Sequence, residues 1–148
     1  MSASFLRPLL QEPSTKLVIR NLRNQRRVAD ALVAAFDSKT RRTGLLRHQA
    51  FPDGSAMLIA PTNAVHTFFM RFPIDIAFVT REGRVVKTCA AVRPWRIAAA
   101  FGAFAVVELP AGTLARCDTV AGDTLAIVPD EPVTGQGYAE GRRSRISR

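Results

Sequence analysis

Between His66 and Val79 the chain reads His-Thr-Phe-Phe-Met-Arg-Phe-Pro-Ile-Asp-Ile-Ala-Phe-Val, an apolar block with Arg71 and Asp75 embedded in it. A strand alternates its side chains between two faces. Read that way, the even positions Phe68, Met70, Phe72, Ile74, Ile76 and Phe78 form one uninterrupted apolar face. The odd positions Phe69, Arg71, Pro73, Asp75, Ala77 and Val79 form a second face that mixes apolar residues with two opposite charges. The first face is expected to be core and the second to carry any site. Pro73 marks a break, a bulge or an edge, since proline donates nothing to a ladder.

The rest of the chain repeats the β signal in shorter pieces. Residues 16–20 (Lys-Leu-Val-Ile-Arg) make a strand candidate, closed by a polar turn over 21–25. Residues 26–36 fit either period: Val28, Ala29, Leu32, Val33 and Phe36 have helical spacing, while the turn before them suggests a hairpin. Asp37 or Ser38 suits the N-cap of a short helix ending near Gly44. Residues 56–60, 85–89, 105–109 and 124–128 are further strands, and Arg81-Glu82-Gly83-Arg84 is the hairpin turn before the second of them. Residues 93–102 read as one long loop opened by Arg-Pro-Trp-Arg. Many short strands with few helices predict a mainly β, antiparallel, jelly-roll-like sandwich or barrel with one or two short helices. The expected division is a flexible leader over 1–14, a single β domain over 15–129 and a flexible basic tail over 130–148.

At 148 residues the chain is long enough for one domain with a proper core. No segment approaches the roughly 18 consecutive apolar residues that span a bilayer, and the first residues lack the apolar stretch of a signal peptide. The expectation is a cytoplasmic protein with no membrane partner. Its net charge of +9 is unevenly spread. Residues 1–48 carry ten Lys/Arg against three Asp/Glu, residues 49–129 seven against six, and residues 130–148 four against three. The body is nearly neutral. No aromatic residue interleaves with Arg142, Arg143, Arg145 and Arg148, so that end lacks a stacking platform and nucleic acid is an unlikely partner. Cys89 and Cys117 form no metal spacing, and with only His48 and His66 to join them no metal site and no cofactor is expected.

Five motifs in order resemble a known family: Arg42-Thr43-Gly44-Leu45, the block from His66 to Val79 with Asp75 inside it, Gly83-Arg84-Val85-Val86, Glu108-Leu109-Pro110-Ala111-Gly112, and Gly122-Asp123. Together they resemble the bacterial and archaeal domain of unknown function 192, over about residues 16–128. The resemblance implies a compact, mostly β domain in which the Arg-x-x-Gly-Leu segment is a short helix. It brings no established activity, cofactor or substrate. Where the family commonly has Trp-Met-Lys-Asn-Thr, this chain has Phe69-Met70-Arg71-Phe72-Pro73, which keeps the basic residue and loses the polar pair.

Asp75 lies between two isoleucines and Glu108 between Val107 and Leu109. A carboxylate in such company needs a partner, and Arg42 or Arg71 suits the part because a guanidinium grips a carboxylate with two hydrogen bonds. Along one extended strand Arg71 and Asp75 stand roughly 13 Å apart, so Asp75 is expected to meet a charge from elsewhere. Arg93, Trp95 and Arg96 flank a loop that carries the only tryptophan, and Trp and Arg anchor many interfaces. The leading expectation is a non-catalytic binding or accessory module. It would take a small polar ligand or peptide through Arg71, Asp75, Glu108, His66, Arg42, Arg93, Trp95 and Arg96. The alternative is a small hydrolase-like enzyme that uses Asp75, Glu108 and His66, which requires two carboxylates in unlike environments. Weak electrostatic association with nucleic acid comes third. No nucleophile elbow, phosphate loop or dinucleotide fingerprint occurs.

Overall fold

The computed structural model describes residues 4–11, 14–36 and 51–131. Three sheets are built from these residues. In the first, β1 (Leu17–Asn21) lies between β2 (Arg27–Ala29) and β10 (Leu125–Pro129). The second has five strands: β3 (Ala31–Ala35), β4 (Ser55–Ile59), β9 (Ala105–Pro110), β6 (Ile74–Val79) and β7 (Val85–Val92), side by side in that order. The third is a ribbon of β5 (Ala64–His66) and β8 (Ile97–Ala99). All pairings are antiparallel except β3 with β4, which run parallel. Two short helices, α1 (Arg7–Gln11) and α2 (Thr113–Arg116), complete the described residues. The chain is mainly β and layered, as expected, and its sheets stay open rather than closing into one barrel.

Two cores lie on opposite faces of the five-stranded sheet. One joins it to the three-stranded sheet through Ile19, Val28, Leu58, Val79, Val107 and Ile127. The other gathers Met57, Ile59, Ile74, Ile76, Phe78 and Val106, with Val65 and Ala98 of the ribbon packed against it. β6 and β9 are therefore buried at every position. A central strand covered on both faces reads as a continuous apolar run, because neither face meets water. This corrects the expectation of a mixed, site-bearing face: over 74–79 both faces are core.

The reading of 66–79 as one strand is also corrected. β5 ends at His66 and β6 starts only at Ile74; the residues between form turns. Phe69 there has a left-handed backbone, with φ 65°. Of the six residues expected in the core, Met70, Ile74, Ile76 and Phe78 are buried, whereas Phe68 and Phe72 are half-buried. Residues 26–36 resolve as β2 and β3, since pairing with β1 and β4 outweighs the helical spacing of their apolar residues. The expected helix after Asp37, with Arg42 in it, lies outside the described residues. So does most of the expected basic tail.

Part of the segment read as a leader packs onto the body. Phe5 and Leu6 are buried in the first core, and the Phe5 amide donates to the Arg81 carbonyl at 2.7 Å. Gly83, with φ 91°, allows this approach: a Cβ there would collide with the Leu125 carbonyl oxygen and sit 2.9 Å from the Phe5 ring.

A buried polar knot joins β1 to the turn before β10. Asp123 accepts hydrogen bonds from Asn21 Nδ2 at 2.8 Å, the Val120 amide at 3.0 Å and Arg23 Nε at 2.6 Å. Asn21 Nδ2 also donates to Thr119 Oγ1 at 3.1 Å. The Arg23 guanidinium, aided by the Val120 amide and Asn21, holds the Asp123 carboxyl down at about 2. A depressed carboxyl stabilises the fold above its unfolded value of 3.8, and this contribution is lost as the pH falls toward 2. Asp123→Ala should cost about 2 kcal/mol in urea unfolding at pH 7, because Asn21 and the Val120 amide lose their acceptor. The deficit should shrink between pH 4 and pH 2.

Candidate functional site

Asp75 is fully buried, and its partners among the described residues are backbone amides. Oδ1 accepts from the Ala91 amide at 2.8 Å; Oδ2 accepts from the amides of Gly112 at 3.1 Å and Leu114 at 2.9 Å. Ala91 on β7 and Gly112 before α2 both have positive φ, 49° and 92°. The carboxylate thus binds two irregular stretches of backbone from different parts of the chain. It fixes β7 and the start of α2 against β6, and nothing of it faces solvent.

Glu108 is placed differently. On β9 it pairs with Met57 of β4 on one side and Ile76 of β6 on the other. Ile76 and Met57 belong to the second core, whereas Ala77 and Val79, which alternate in step with Asp75, belong to the first. Asp75 and Glu108 therefore point to opposite faces of one sheet. Two carboxylates so placed cannot act on one substrate, and His66 lies on the ribbon, so the acid/base trio of the hydrolase alternative is dispersed. Glu108 has no hydrogen-bonding side chain or amide partner among the described residues. Burial pushes its carboxyl up from 4.5 to about 7.

Five of the eight expected site residues lie on two neighbouring loops over 67–73 and 93–96 or, for His66, at the end of β5 beside them. The buried hydroxyl of Thr67 fastens them: it donates to the Arg93 carbonyl at 2.7 Å and accepts from the Arg96 amide at 2.9 Å. The Thr67 amide donates to the Arg96 carbonyl at 2.8 Å, and the Trp95 amide to the Thr67 carbonyl at 2.9 Å. His66, Arg93, Trp95 and Arg96 are drawn together by this stitching, and Arg71 follows on the first loop. Phe68 and Phe69 join them; neither is among the expected site residues, since alternation puts Phe68 on the core face and offers Phe69 no role beyond its place on the mixed one. The available signal was two adjacent phenylalanines, of which only one can face a core in an extended chain.

The rings form a connected series. His66 stacks on Phe68 at 4.8 Å between centroids, Phe68 lies 5.8 Å from Trp95, and Trp95 lies 4.6 Å from Phe69. Phe69 and Trp95 are 68% and 56% exposed, and Ile97 opposite His66 is 71% exposed. Both aromatic residues sit at φ 65°. A bulky side chain in the left-handed region costs free energy, and such residues persist where the surrounding structure over-determines them. Here the Thr67 hydrogen bonds do so. Exposed apolar clusters on a monomer mark interaction surfaces.

A cleft of about 310 Å³ lies elsewhere, between α1 and β10, lined mainly by apolar groups including Phe5, Pro8, Leu17, Leu125 and Ile127. None of the expected site residues lines it.

The fold and the ring cluster define an open, layered β domain, and the comparisons give its family. Residues 19–127 match the domain of unknown function 192, described as an uncharacterized ACR, and the chain belongs to this family. A search among curated proteins found no match. Among solved structures, the chain is similar to a proposed transcription regulator from Sinorhizobium meliloti 1021, at 21% identity and a TM-score of 0.66 over 76% of this chain and 92% of that one. It is also similar to a protein of unknown function from Novosphingobium aromaticivorans DSM 12444, at 22% identity and a TM-score of 0.64 over 74% and 82% of the two chains. At these identities the likeness establishes the fold alone. No helix among the described residues is long and apolar enough to cross a membrane.

Proposed function

We propose that this chain is a non-catalytic binding module whose recognition surface is the pair of loops over 67–73 and 93–96. The observation that carries this reading is the exposed Phe69–Trp95 pair, held at positive φ by hydrogen bonds through Thr67. Rings fixed before a partner arrives lose little conformational entropy on binding. Arg71, Arg93 and Arg96 lie on the same two loops, all exposed and none ion-paired with a described residue. Such a surface suits a partner that offers a planar or apolar group to the rings and negative charge to the arginines, as a small polar ligand or a peptide can. Asp75 serves this surface indirectly, by fixing β7 and the start of α2 against β6.

Trp95→Ala tests the reading. The melting temperature should stay within about 3 °C of the parent, because replacing an exposed side chain costs little. Binding of anionic ligands and peptides, followed by intrinsic fluorescence in the parent and by calorimetry in both, should fall at least tenfold. A drop of 10 °C or more would place Trp95 in the load of the fold. Unchanged binding would remove the surface from function.

A further inference from the structure

We infer that the partner of this surface is single-stranded nucleic acid, an assignment that rests on the binding-surface reading above. The tail arginines lacked interleaved aromatic residues, and on that ground nucleic acid was an unlikely partner. The fold supplies the missing arrangement elsewhere. His66, Phe68, Trp95 and Phe69 come from two loops far apart in sequence and form one series of rings at 4.6–5.8 Å. Arg71, Arg93 and Arg96 interleave with them along the same two loops. Stacking rings beside cations is how proteins grip single strands without reading their sequence.

Charge complementarity supports the assignment. From Pro61 to Thr80 the only acidic residue is Asp75, which is fully buried, and from Gly83 to Val107 there is none. The same two stretches carry Arg71, Arg84, Lys87, Arg93 and Arg96. The exposed charge of the ribbon and its loops is therefore wholly positive, although the body as a whole is nearly neutral. This local excess of positive charge attracts a polyanion.

The geometry favours nucleic acid over two other polyanionic partners. An anionic lipid surface asks for exposed apolar area and positive charge but not for oriented rings. Two strained aromatic residues locked by a buried threonine would be superfluous there. An acidic peptide satisfies the arginines but supplies carboxylates and no planar faces for four rings. A single strand presents both groups in alternation, a phosphate and a base per nucleotide. The surface has room for a short run only, so binding is sequence-tolerant and of modest affinity.

The experiment titrates the full chain with an unstructured 12-nucleotide deoxythymidine strand. It follows quenching of Trp95, the only tryptophan, together with anisotropy of the labelled strand. Quenching should accompany binding. Trp95→Ala and Phe69→Ala, each checked for an unchanged circular dichroism spectrum, should weaken binding about tenfold. Replacing Arg93 and Arg96 together by Gln should lower the slope of log K against log salt by about 1.4, since each phosphate contact on a single strand contributes about 0.7. A duplex of the same length should bind more weakly to the parent and lose nothing in the ring variants.

Three results overturn the inference. One is an absence of binding at 50 mM salt. Another is binding that both ring variants retain in full, which would assign it to charge elsewhere on the chain. The third is Trp95-dependent capture of polyglutamate or of phosphatidylserine vesicles without binding of the strand. That last outcome rejects nucleic acid and keeps the recognition surface, whereas Trp95-independence toward every probe rejects the surface as well.

Discussion

Asp75→Ala should lower the stability of the domain by about 4 kcal/mol, a fall of roughly 15 °C in melting temperature. The figure follows from what the carboxylate does. Three amides, of Ala91, Gly112 and Leu114, donate to it in the interior. Hydrogen bonds to a charged acceptor contribute about 1.5–3 kcal/mol each, and a buried donor left without a partner keeps its full desolvation cost. Alanine supplies no acceptor, and the space is lined by backbone that has no room to admit the chain's own side chains. Asp75→Asn retains one acceptor oxygen but turns an amide donor toward one of the three N–H groups, so about 2 kcal/mol should be lost. Urea unfolding at pH 7 measures both. If Asp75→Asn unfolds at the parent's urea midpoint, the three amides are not what the carboxylate stabilises.

Glu108 should make the protein less stable in mild alkali than in mild acid, the reverse of the usual carboxylate. Burial between Met57 and Ile76 raises its carboxyl from 4.5 to about 7. The folded chain therefore holds a proton that the unfolded chain releases at any pH between those values. Stability is highest below 4.5, falls as the pH rises, and levels off above 7. Between pH 5 and pH 8 the loss amounts to about 2–3 kcal/mol. Glu108→Gln, neutral and of the same shape, should abolish the slope and unfold at a higher urea concentration than the parent at pH 8. The knot around Asp123 does not interfere, because its carboxyl titrates near 2. Parallel pH profiles for parent and variant would show that Glu108 is ionised in the folded state throughout this range.

The two carboxylates illustrate how differently sequence can inform about neighbours of the same type. Both were legible as charged residues in apolar company. Their environments were not, because burial on a given face depends on which strands lie alongside. Asp75 was expected to meet an arginine; Arg42 lies outside the described residues, and among those described the carboxylate accepts from amides 16, 37 and 39 residues away in the chain. Backbone donors leave no mark in a sequence. Glu108 was expected to share a site with Asp75, and strand register sends it to the other face of the sheet. A shift of one residue in pairing reverses every side chain, and register is set by the whole sheet.

The loops tell the same story in reverse. Trp95 and its flanking arginines were identified from composition and from the turn chemistry of Arg-Pro-Trp-Arg. Phe68 and Phe69 were assigned to alternating strand faces, because Phe and Ile signal strand wherever they occur. The chain instead turns at Thr67, whose hydroxyl reaches the backbone of residues 93 and 96. A threonine that fastens two loops looks in sequence like any strand threonine. The ribbon of β5 and β8 was missed for a related reason: three-residue strands carry too few positions for a period of two to show.

The sequence by itself determined the mainly β class, most of the long strands, the family and the loop that bears the tryptophan. These rest on local properties: side-chain shape, turn residues, and apolar runs that hold whatever lies next to them. The tertiary structure alone decided which strands are neighbours, which face each carboxylate enters, and that the rings at 66–69 meet Trp95. Each of these is a contact between segments distant in sequence, selected by the free energy of burying the five-stranded sheet on both faces at once. No single segment encodes that energy, because it is a property of their packing together.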